Sequence, residues 1–337
     1  MRYIGLDVHK DNITACFISA GGKVLENIEV PSDSDGLATI LGHMNKEEHC
    51  TMMESSTYSY RVYRHLEDMS IETHVVHAAN LKVVTMSDKK TDKNDAETIA
   101  RYLRLWKMGA VKLSMAFIPT PDQCALKDIC RYCEELSKKV GDESRRIKAH
   151  MTRNCMVLPE TSKNLDTTKA MNFIRRTWPE DKTLIHRIGI FEQLLKEKKS
   201  IEKEVCSHMK GDSNVTLLES MFGIARRSGV QIMSMIIDVK RFPTSEGMCA
   251  YFGMVPRVHD SGGKKYHGKM TKKGDKMMRM IMERVTEVHV SRCNSVITEY
   301  YLRKLREMGK KKALVTTSRK MLTVIHAMLT KKEPFKA

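Results

Sequence analysis

Two sets of residues in this 337-residue chain have types and spacing suited to chemistry on phosphate esters. The first lies in Pro256–Arg279, PRVHDSGGKKYHGKMTKKGDKMMR. Ser261 follows His259 and Asp260, and stands before Gly262 and Gly263. Lys264, Lys265, Lys269, Lys272, Lys273, Lys276 and Arg279 come after it. Paired glycines let a backbone bend sharply and approach a ligand closely. A hydroxyl in such a turn suits attack on a phosphodiester whose charge the cations neutralise. Ser-Gly-Gly is also common in ordinary turns, so the same stretch reads too as a basic nucleic-acid-binding loop with an incidental serine. The second set is acidic: Asp7, Glu54, Asp92 and Asp95. Four converging carboxylates repel one another unless cations share the site, and hard oxygen ligands favour Mg²⁺ or Mn²⁺ over Zn²⁺. Two such ions about 4 Å apart form the usual clamp for phosphodiester chemistry. For any one of these acids the ordinary role is a strand-end or helix N-cap carboxylate, and Asp95 suits a helix N-terminus on dipole grounds.

The elements that must position the acids are legible in the first third. Arg2–Leu6 reads as a strand ending in Asp7. Asn12–Ser19 and Lys23–Val30 read as two more, with Gly21-Gly22 as a hairpin turn. Ser34–Met44 has helical spacing. Cys50–Met53 is a strand ending in Glu54, Tyr58–Met69 a helix, and Glu72–His77 a strand. Asn94 with Glu97 makes a capping box, so the spacing predicts a helix over Asp95–Lys107. Three antiparallel strands followed by alternating helix and strand indicate an α/β domain on a mixed sheet. In open sheets of that kind, sites form beyond the carboxyl ends of the strands, which is where Asp7 and Glu54 fall.

Charge separates the chain into two parts. Met1–Ile118 carries 14 Lys/Arg against 16 Asp/Glu, a net of −2, while Pro119–Ala337 carries 44 against 25, a net of +19. A near-neutral first domain with a very basic remainder reads as a protein that works on nucleic acid. The nine cysteines lack the pattern of a small secreted domain and read as reduced thiols. No run of about 18 apolar residues occurs, and the charged N-terminus is no signal peptide, so no membrane partner is expected.

In Pro121–Met209 the apolar residues Leu126, Ile129, Cys130, Cys133, Leu136, Val140 and Ile147 form one stripe. Leu184, Ile188, Phe191, Leu195, Ile201, Val205 and Met209 form another. Two long helices joined by an irregular Asn154–Lys182 segment suggest an antiparallel coiled-coil arm, or else a helical linker packed on its own domains. Cys130-x-x-Cys133 lies on the apolar stripe with no second pair at finger spacing, which favours core packing over zinc. Further on, Leu217–Ile224 before Ala225–Ile237 resembles a helix–turn–helix-like element around Phe222-Gly223-Ile224, suited to gripping a DNA backbone through its turn or else a structural helical hairpin. Gly247–Phe252, Asp275–Val290, Val296–Met308 and Ala313–Leu329 read as helices. Lys310-Lys311-Lys312 reads as a basic turn. Met277, Met278, Met280 and Met282 fall at core spacing and read as filler.

The motifs GLDVHK, MESS and KTDKNDA, in that order, resemble the RuvC-like, RNase H-type domain of the DEDD transposases of the IS110 insertion-sequence family. The stretch Leu217–Met282 resembles the same family's C-terminal transposase domain, and GKKKALVTTSRKMLTVIHAML its closing helix. The resemblance covers roughly Met1–Lys107 and Val215–Phe335. It implies an α/β plus α chain of three domains: a RuvC-like DEDD domain over 1–118, a coiled-coil arm over 119–212 and a C-terminal domain over 213–337. It also implies that Asp7, Glu54, Asp92 and Asp95 are the four metal-binding acids and that Ser261 is the nucleophile. Family members often carry a polar pair such as Ser-Ser-Gly where this chain has Asp260-Ser261-Gly262. The implied partners are donor and target DNA, a structured noncoding guide RNA, and further copies of the chain as a homodimer or homotetramer, in a prokaryotic cytosol at the nucleoid.

Three functions fit these residues. A recombinase-transposase uses both the acids and Ser261. A junction-resolving nuclease uses the acids alone and leaves the C-terminal domain without a task. A non-catalytic RNA- or DNA-binding protein uses neither, and the intact acid set weighs against it. Nucleic-acid binding is expected to fall steeply with salt, because each phosphate contact releases a counterion. A flat response of the dissociation constant between about 50 and 200 mM salt contradicts the basic-surface reading.

Overall fold

The computed structural model describes residues 1–44, 48–77, 92–160, 163–261, 264–271 and 274–336, with the backbone alone for 92–93, 258–261 and 264–269. The chain divides into two compact units, Met1–Pro119 and Thr120–Ala337.

In the first unit, β1 (Arg2–Val8), β2 (Asn12–Ser19) and β3 (Val24–Pro31) form an antiparallel meander. β1 also pairs in parallel with β4 (His49–Glu54), and β4 with β5 (Glu72–Val76), giving the order β3-β2-β1-β4-β5. β1 and β4 are buried along nearly their whole length, as strands covered on both faces must be. On one face, Leu37 and Ile40 of α1 (Ser34–His43) and Val62 and Leu66 of α2 (Ser59–Asp68) pack on Ile4, Leu6, Phe17 and Met53. On the other, Ala96, Ile99, Ala100 and Leu103 of α3 (Asp92–Lys107) pack on Tyr3, Cys16, Cys50 and Met52. Side chains alternate across a strand, so each of these strands contributes to both cores.

The strands and first two helices lie within one or two residues of their sequence-based bounds. α3 does not. It begins at Asp92, so Asn94 lies inside the helix and is not its cap. A short return segment also escaped the sequence reading: Met115 bridges Val76 in antiparallel sense, and Ala116 N–H donates to the Val75 carbonyl at 2.7 Å.

The second unit opens with a reciprocal cap. Gln123 N–H donates to Thr120 Oγ1 and Thr120 N–H to Gln123 Oε1, with Pro121 in the first helical turn, and α4 (Pro121–Arg153) follows. The segment expected to be irregular holds a helix, α5 (Thr168–Thr177), before α6 (Lys182–Ser207). α4 and α6 run antiparallel. Buried Glu143 accepts from Arg187 at 2.7 Å and Arg146 at 3.2 Å, while Leu136 and Ile201 meet further along. α4 thereby enters two cores. Val140, Ile147 and Met151 pack with Ile174, Ile188 and Phe191. Cys130, Cys133 and Leu136 pack with Val205 and the remaining helices, so positions 212 and 213 do not separate two cores. Burial pushes the Cys130 thiol up to about 11.

Those helices are α7 (Ser213–Glu219), α8 (Arg226–Ile236), α9 (Ser245–Tyr251), α10 (Lys276–Arg292), α11 (Val296–Met308) and α12 (Lys310–Lys331). Between α9 and α10 lies a hairpin, β6 (Pro256–Ser261) and β7 (Lys264–Met270), where a loop was expected. Lys310–Lys312 form the first turn of α12; the reversal before them is made at Gly309, with φ of +78°. Met277, Met278 and Met282 are buried as expected, but Met280 faces solvent. Among the described residues no helix is long and apolar enough to cross a membrane.

A buried ion pair ties three of these helices together. The Glu134 carboxylate of α4 accepts from both guanidinium Nη atoms of Arg284 in α10, at 2.9 and 3.1 Å, and from Gln231 Nε2 of α8 at 2.9 Å. Burial raises the Glu134 carboxyl, but the bonds and charge of Arg284, then Gln231, outweigh it and hold the group below the usual 4.5. Because the folded value is the lower one, this stabilisation is complete above the unfolded value and is lost as pH falls through the folded one. Arg284→Ala takes the nearest countercharge from buried Glu134 and, because Arg284 is itself partly exposed and Arg227 also lowers the carboxyl, is expected to cost about 1–3 kcal/mol. Urea unfolding at neutral pH measures the loss, which should shrink as pH drops below 4.5; a pH-independent deficit contradicts the assignment.

Candidate functional site

Asp7 and Glu54 come together through strand register. β1 and β4 pair in parallel with Leu6 opposite Met53, so Asp7 and Glu54 occupy the next rung at the carboxyl ends of neighbouring strands. Tyr3 of β1 and Cys50 and Met52 of β4 pack against α3. By strand alternation Gly5, Asp7 and Glu54 face the same side. Asp7 is largely covered, its side chain 15% exposed, and Oδ2 lies 3.2 Å from His9 Nε2.

The direction of α3 decides where the other two acids go. Arg104, near its C-terminal end, donates from Nε to the Ala20 carbonyl at 2.7 Å. Ala20 is in the β2–β3 turn, beside the amino end of β1, where Arg2 faces Ser19. α3 therefore runs antiparallel to β1, and its N-terminal turn, with Asp92 and Asp95, lies toward the carboxyl edge of the sheet. Its closeness to that edge depends on Gly5. A Cβ there would overlap the Ala96 carbonyl oxygen and the Ala100 nitrogen and stand 3.1 Å from the Ala100 Cα. Asp95 is half-buried, next to the contact residue Ala96; the Asp92 side chain lies outside the description. The sequence reading named all four acids but passed over Gly5, whose signal was a glycine two residues before an acid within a strand.

A second cluster occupies the opposite edge. Ligand atoms of Cys50, Glu72 and His74 lie within 4.8 Å of one another, the one such group of three among the described residues. Strand pairing places Cys50 opposite Glu72, and the i, i+2 spacing puts His74 on the same face. Lys107 of α3 pairs with Glu72, and His74 Nε2 lies 2.8 Å from Glu72 Oε1. Burial, then the charge of Glu72, pushes the Cys50 thiol up to about 12. This thiol and imidazole differ from the hard oxygen set at the carboxyl edge, and a lysine already balances the carboxylate.

Ser261 is the last residue of β6 and pairs with Lys264 across Gly262 and Gly263. Its side chain and those of Lys264, Lys265 and Lys269 lie outside the description, as do Lys272 and Lys273 altogether. Lys276 is exposed in the first turn of α10. Arg279 is differently employed: its Nη1 reaches the carbonyls of Phe252 at 3.1 Å, Gly274 at 2.9 Å and Asp275 at 3.2 Å. A Cβ on Gly274 would overlap the Tyr251 carbonyl and meet the Phe252 carbonyl carbon at 2.7 Å. Asp275 caps α10 through Met277 N–H at 2.8 Å and pairs with Arg131 of α4. Burial raises the Asp275 carboxyl, but Met277, Arg131 and Lys127 outweigh it and hold it low. Gly274, Asp275 and Arg279 thus lock the exit of the hairpin onto α9, α4 and α10.

Two family profiles match the chain in order. One for DEDD transposases of the IS110 type, described as "Transposase", spans residues 4–156. The other, described as "Transposase IS116/IS110/IS902 family", spans 215–302. The chain belongs to the IS110 family of transposases. The first match contains the acids and the second contains Ser261. The transposase for insertion sequence element IS1111A of Coxiella burnetii is 23% identical to this family member over 348 residues, spanning 100% of this chain and 92% of its own. The pilin gene-inverting protein of Moraxella bovis is 23% identical, over 99% of this chain and 97% of its own. The transposase for element IS1328 of Yersinia enterocolitica is 22% identical, over 71% and 70%. Membership makes the chain a DNA-cutting recombinase, and the DEDD type implies a divalent metal, typically Mg²⁺.

Gly5→Val is expected to lift α3 from β1 and to cost about 1–3 kcal/mol by overpacking. Urea unfolding followed by Trp106 fluorescence in a Trp178→Phe background reports it. An unchanged midpoint means that α3 does not depend on the missing Cβ.

Proposed function

We propose that this transposase cuts and rejoins DNA strands with a carboxylate site of Asp7, Glu54, Asp92 and Asp95 and with Ser261 as nucleophile. The observation that carries the reading is the shared rung of Asp7 and Glu54, on the sheet face toward which the N-terminal turn of α3 is directed. The strand order β3-β2-β1-β4-β5 supports an RNase H-like, RuvC-like domain. The donor set is entirely carboxylate oxygen, which fits Mg²⁺, with Mn²⁺ as a substitute. Asp7, Glu54, Asp92 and Asp95 would hold the metal. Bound there, it would neutralise developing charge on the phosphate and on the attacking and leaving oxygens.

The chain's own groups do the rest. Ser261 Oγ attacks phosphorus, one P–O bond to a deoxyribose oxygen breaks, and the leaving oxygen takes up a proton while serine loses one. A hydroxyl of the partner strand then attacks the phosphoserine, and serine leaves with its proton restored. The number of phosphoester bonds is conserved, so no nucleotide triphosphate is needed. The hairpin's cations Lys264, Lys265 and Lys269, with Lys272, Lys273 and Lys276, would hold the backbone around the serine. Arg279 instead supports the hairpin's base. Exchange between two duplexes calls for more than one active site, hence a homodimer or homotetramer in which residues 119–212 form the connecting arm. Partner choice is assigned to a noncoding guide RNA, in keeping with the family resemblance and with the division of labour in other RNA-guided systems.

Protein, flanking RNA, donor and target DNA and Mg²⁺ resolved on a denaturing gel test the proposal. A protein–DNA band is expected, absent in Ser261→Ala and reduced at least about 100-fold in Glu54→Gln. A band of normal yield in Ser261→Ala eliminates the serine. Cleaved DNA with no band in the parent protein points to hydrolysis by the acids alone.

A further inference from the structure

One groove lies outside everything assigned above. It has a volume of about 570 Å³ on one face of the α11–α12 hairpin, and its walls include Val296, Glu299, Tyr300 and Arg303 of α11 with Lys320 and Val324 of α12. Tyr300 is half-buried, so the hairpin holds its ring in place. The Arg303 guanidinium lies 5.3 Å from the ring centroid and the Lys304 ammonium 5.9 Å. Arg303 and Lys320 are exposed, and Val296 is 63% exposed at the rim. Glu299 is the carboxylate in the wall, and Glu307 nearby is paired with Lys304.

These features select among occupants. An aromatic ring with flanking methyl groups offers a platform for a flat apolar face. The cations on both helices suit an anion that extends past the platform. A small inorganic anion would leave Tyr300 and the valines unused. A duplex would present stacked bases edge-on and could not use the ring. An unpaired nucleotide strand uses all of it, since its base stacks on the aromatic side chain while a basic groove follows its phosphates. The Arg303 guanidinium, over the ring at 5.3 Å from its centroid, can form part of the same stack.

We propose that the α11–α12 groove is a binding site for an unpaired stretch of a nucleic-acid strand. A base stacks on Tyr300 between Val296 and Val324, and the flanking phosphates contact Arg303 and Lys320. The site does not depend on which chemistry the carboxylates or Ser261 perform.

The test uses the full chain with short single strands carrying one 2-aminopurine, made as RNA and as DNA, and a duplex of the same sequence. Tyr300→Ala is expected to weaken single-strand binding about 5- to 100-fold and to remove the quenching of 2-aminopurine. Tyr300→Phe should retain both. Arg303→Ala and Lys320→Ala should each lower the slope of log affinity against log salt by about 0.7, one single-strand phosphate. Duplex binding should hold in every variant. Circular dichroism and thermal melting establish that each variant is folded. Tighter binding of the RNA or the DNA arm identifies the strand, and either supports the site. Unchanged single-strand affinity in Tyr300→Ala overturns it, as does a Tyr300→Phe defect equal to that of alanine or an equal loss of duplex. So does an Arg303→Glu variant that alters oligomeric mass by light scattering without touching strand affinity, since the groove is then a contact between copies of the chain.

Discussion

The first unit is organised around a side chain that is not there. Gly5 lets α3 lie against β1 at backbone distance, and the nearness of the α3 N-terminal turn to the sheet follows from that contact. Asp7 is two residues along the same strand face. Asp95 precedes Ala96, whose carbonyl fills the space a Cβ would take. Arg104, bonded to the Ala20 carbonyl, and Lys107, paired with Glu72, fix the far end of the helix and so its direction. Parallel pairing of β1 with β4 supplies Glu54. Asp7 and Glu54 are thus brought together by backbone geometry, not by attraction for one another, which like charges could not provide. Lys107 balances Glu72 at the amino edge. At the carboxyl edge, Asp7 and Glu54 share a rung, and the N-terminal turn of α3 is directed toward them.

The second unit solves a different problem: how to hold a very basic chain together. Its excess cations are met locally by buried or half-buried carboxylates. Glu134 takes Arg284, Glu143 takes Arg187 and Arg146, Glu192 takes Arg175, and Asp275 takes Arg131. Glu134 and Asp275 join helices distant in sequence, Glu143 reaches from α4 to α6, and Glu192 ties the consecutive α5 and α6, so these acids serve the architecture of the unit. Arg279 shows that a cation in a basic stretch can serve the fold: its Nη1 reaches three carbonyls at the hairpin's base.

How much could be read beforehand depended on where the determining physics lay. Strands β1 to β5 announced themselves because their apolar runs and their bounding turns are local. The start of α3 did not, because Asn94 and Glu97 have the composition of a cap without its position. The β6–β7 hairpin was missed for a related reason: HDSGGKKYHGK is polar on both faces and carries no period-two signal, so only its pairing reveals it as strand. α5 was hidden by Pro159 before it and Trp178-Pro179 at its end, which made the segment read as irregular. Gly5, Gly274 and Arg279 act through contacts with residues far along the chain, and no local pattern encodes such contacts. The acids were named from their order and motifs, while the shared rung of Asp7 and Glu54 required the register of Leu6 with Met53, and the direction of α3 required the anchoring of Arg104.

α4 runs unbroken for 33 residues, yet Leu136 and Val140, one turn apart, belong to different cores. Descent with modification is constrained accordingly. A lineage cannot lose the arm as a cassette, because cutting near residues 119 and 212 would remove Cys130, Cys133, Ile201 and Val205 from the interior they fill. Length can instead drift between Arg153 and Lys182, where Met171 and Ile174 of α5 pack with the far half of α4 and not with the larger interior. The near end of residues 119–212 is thereby bound to the larger interior of the second unit, and the far end is not.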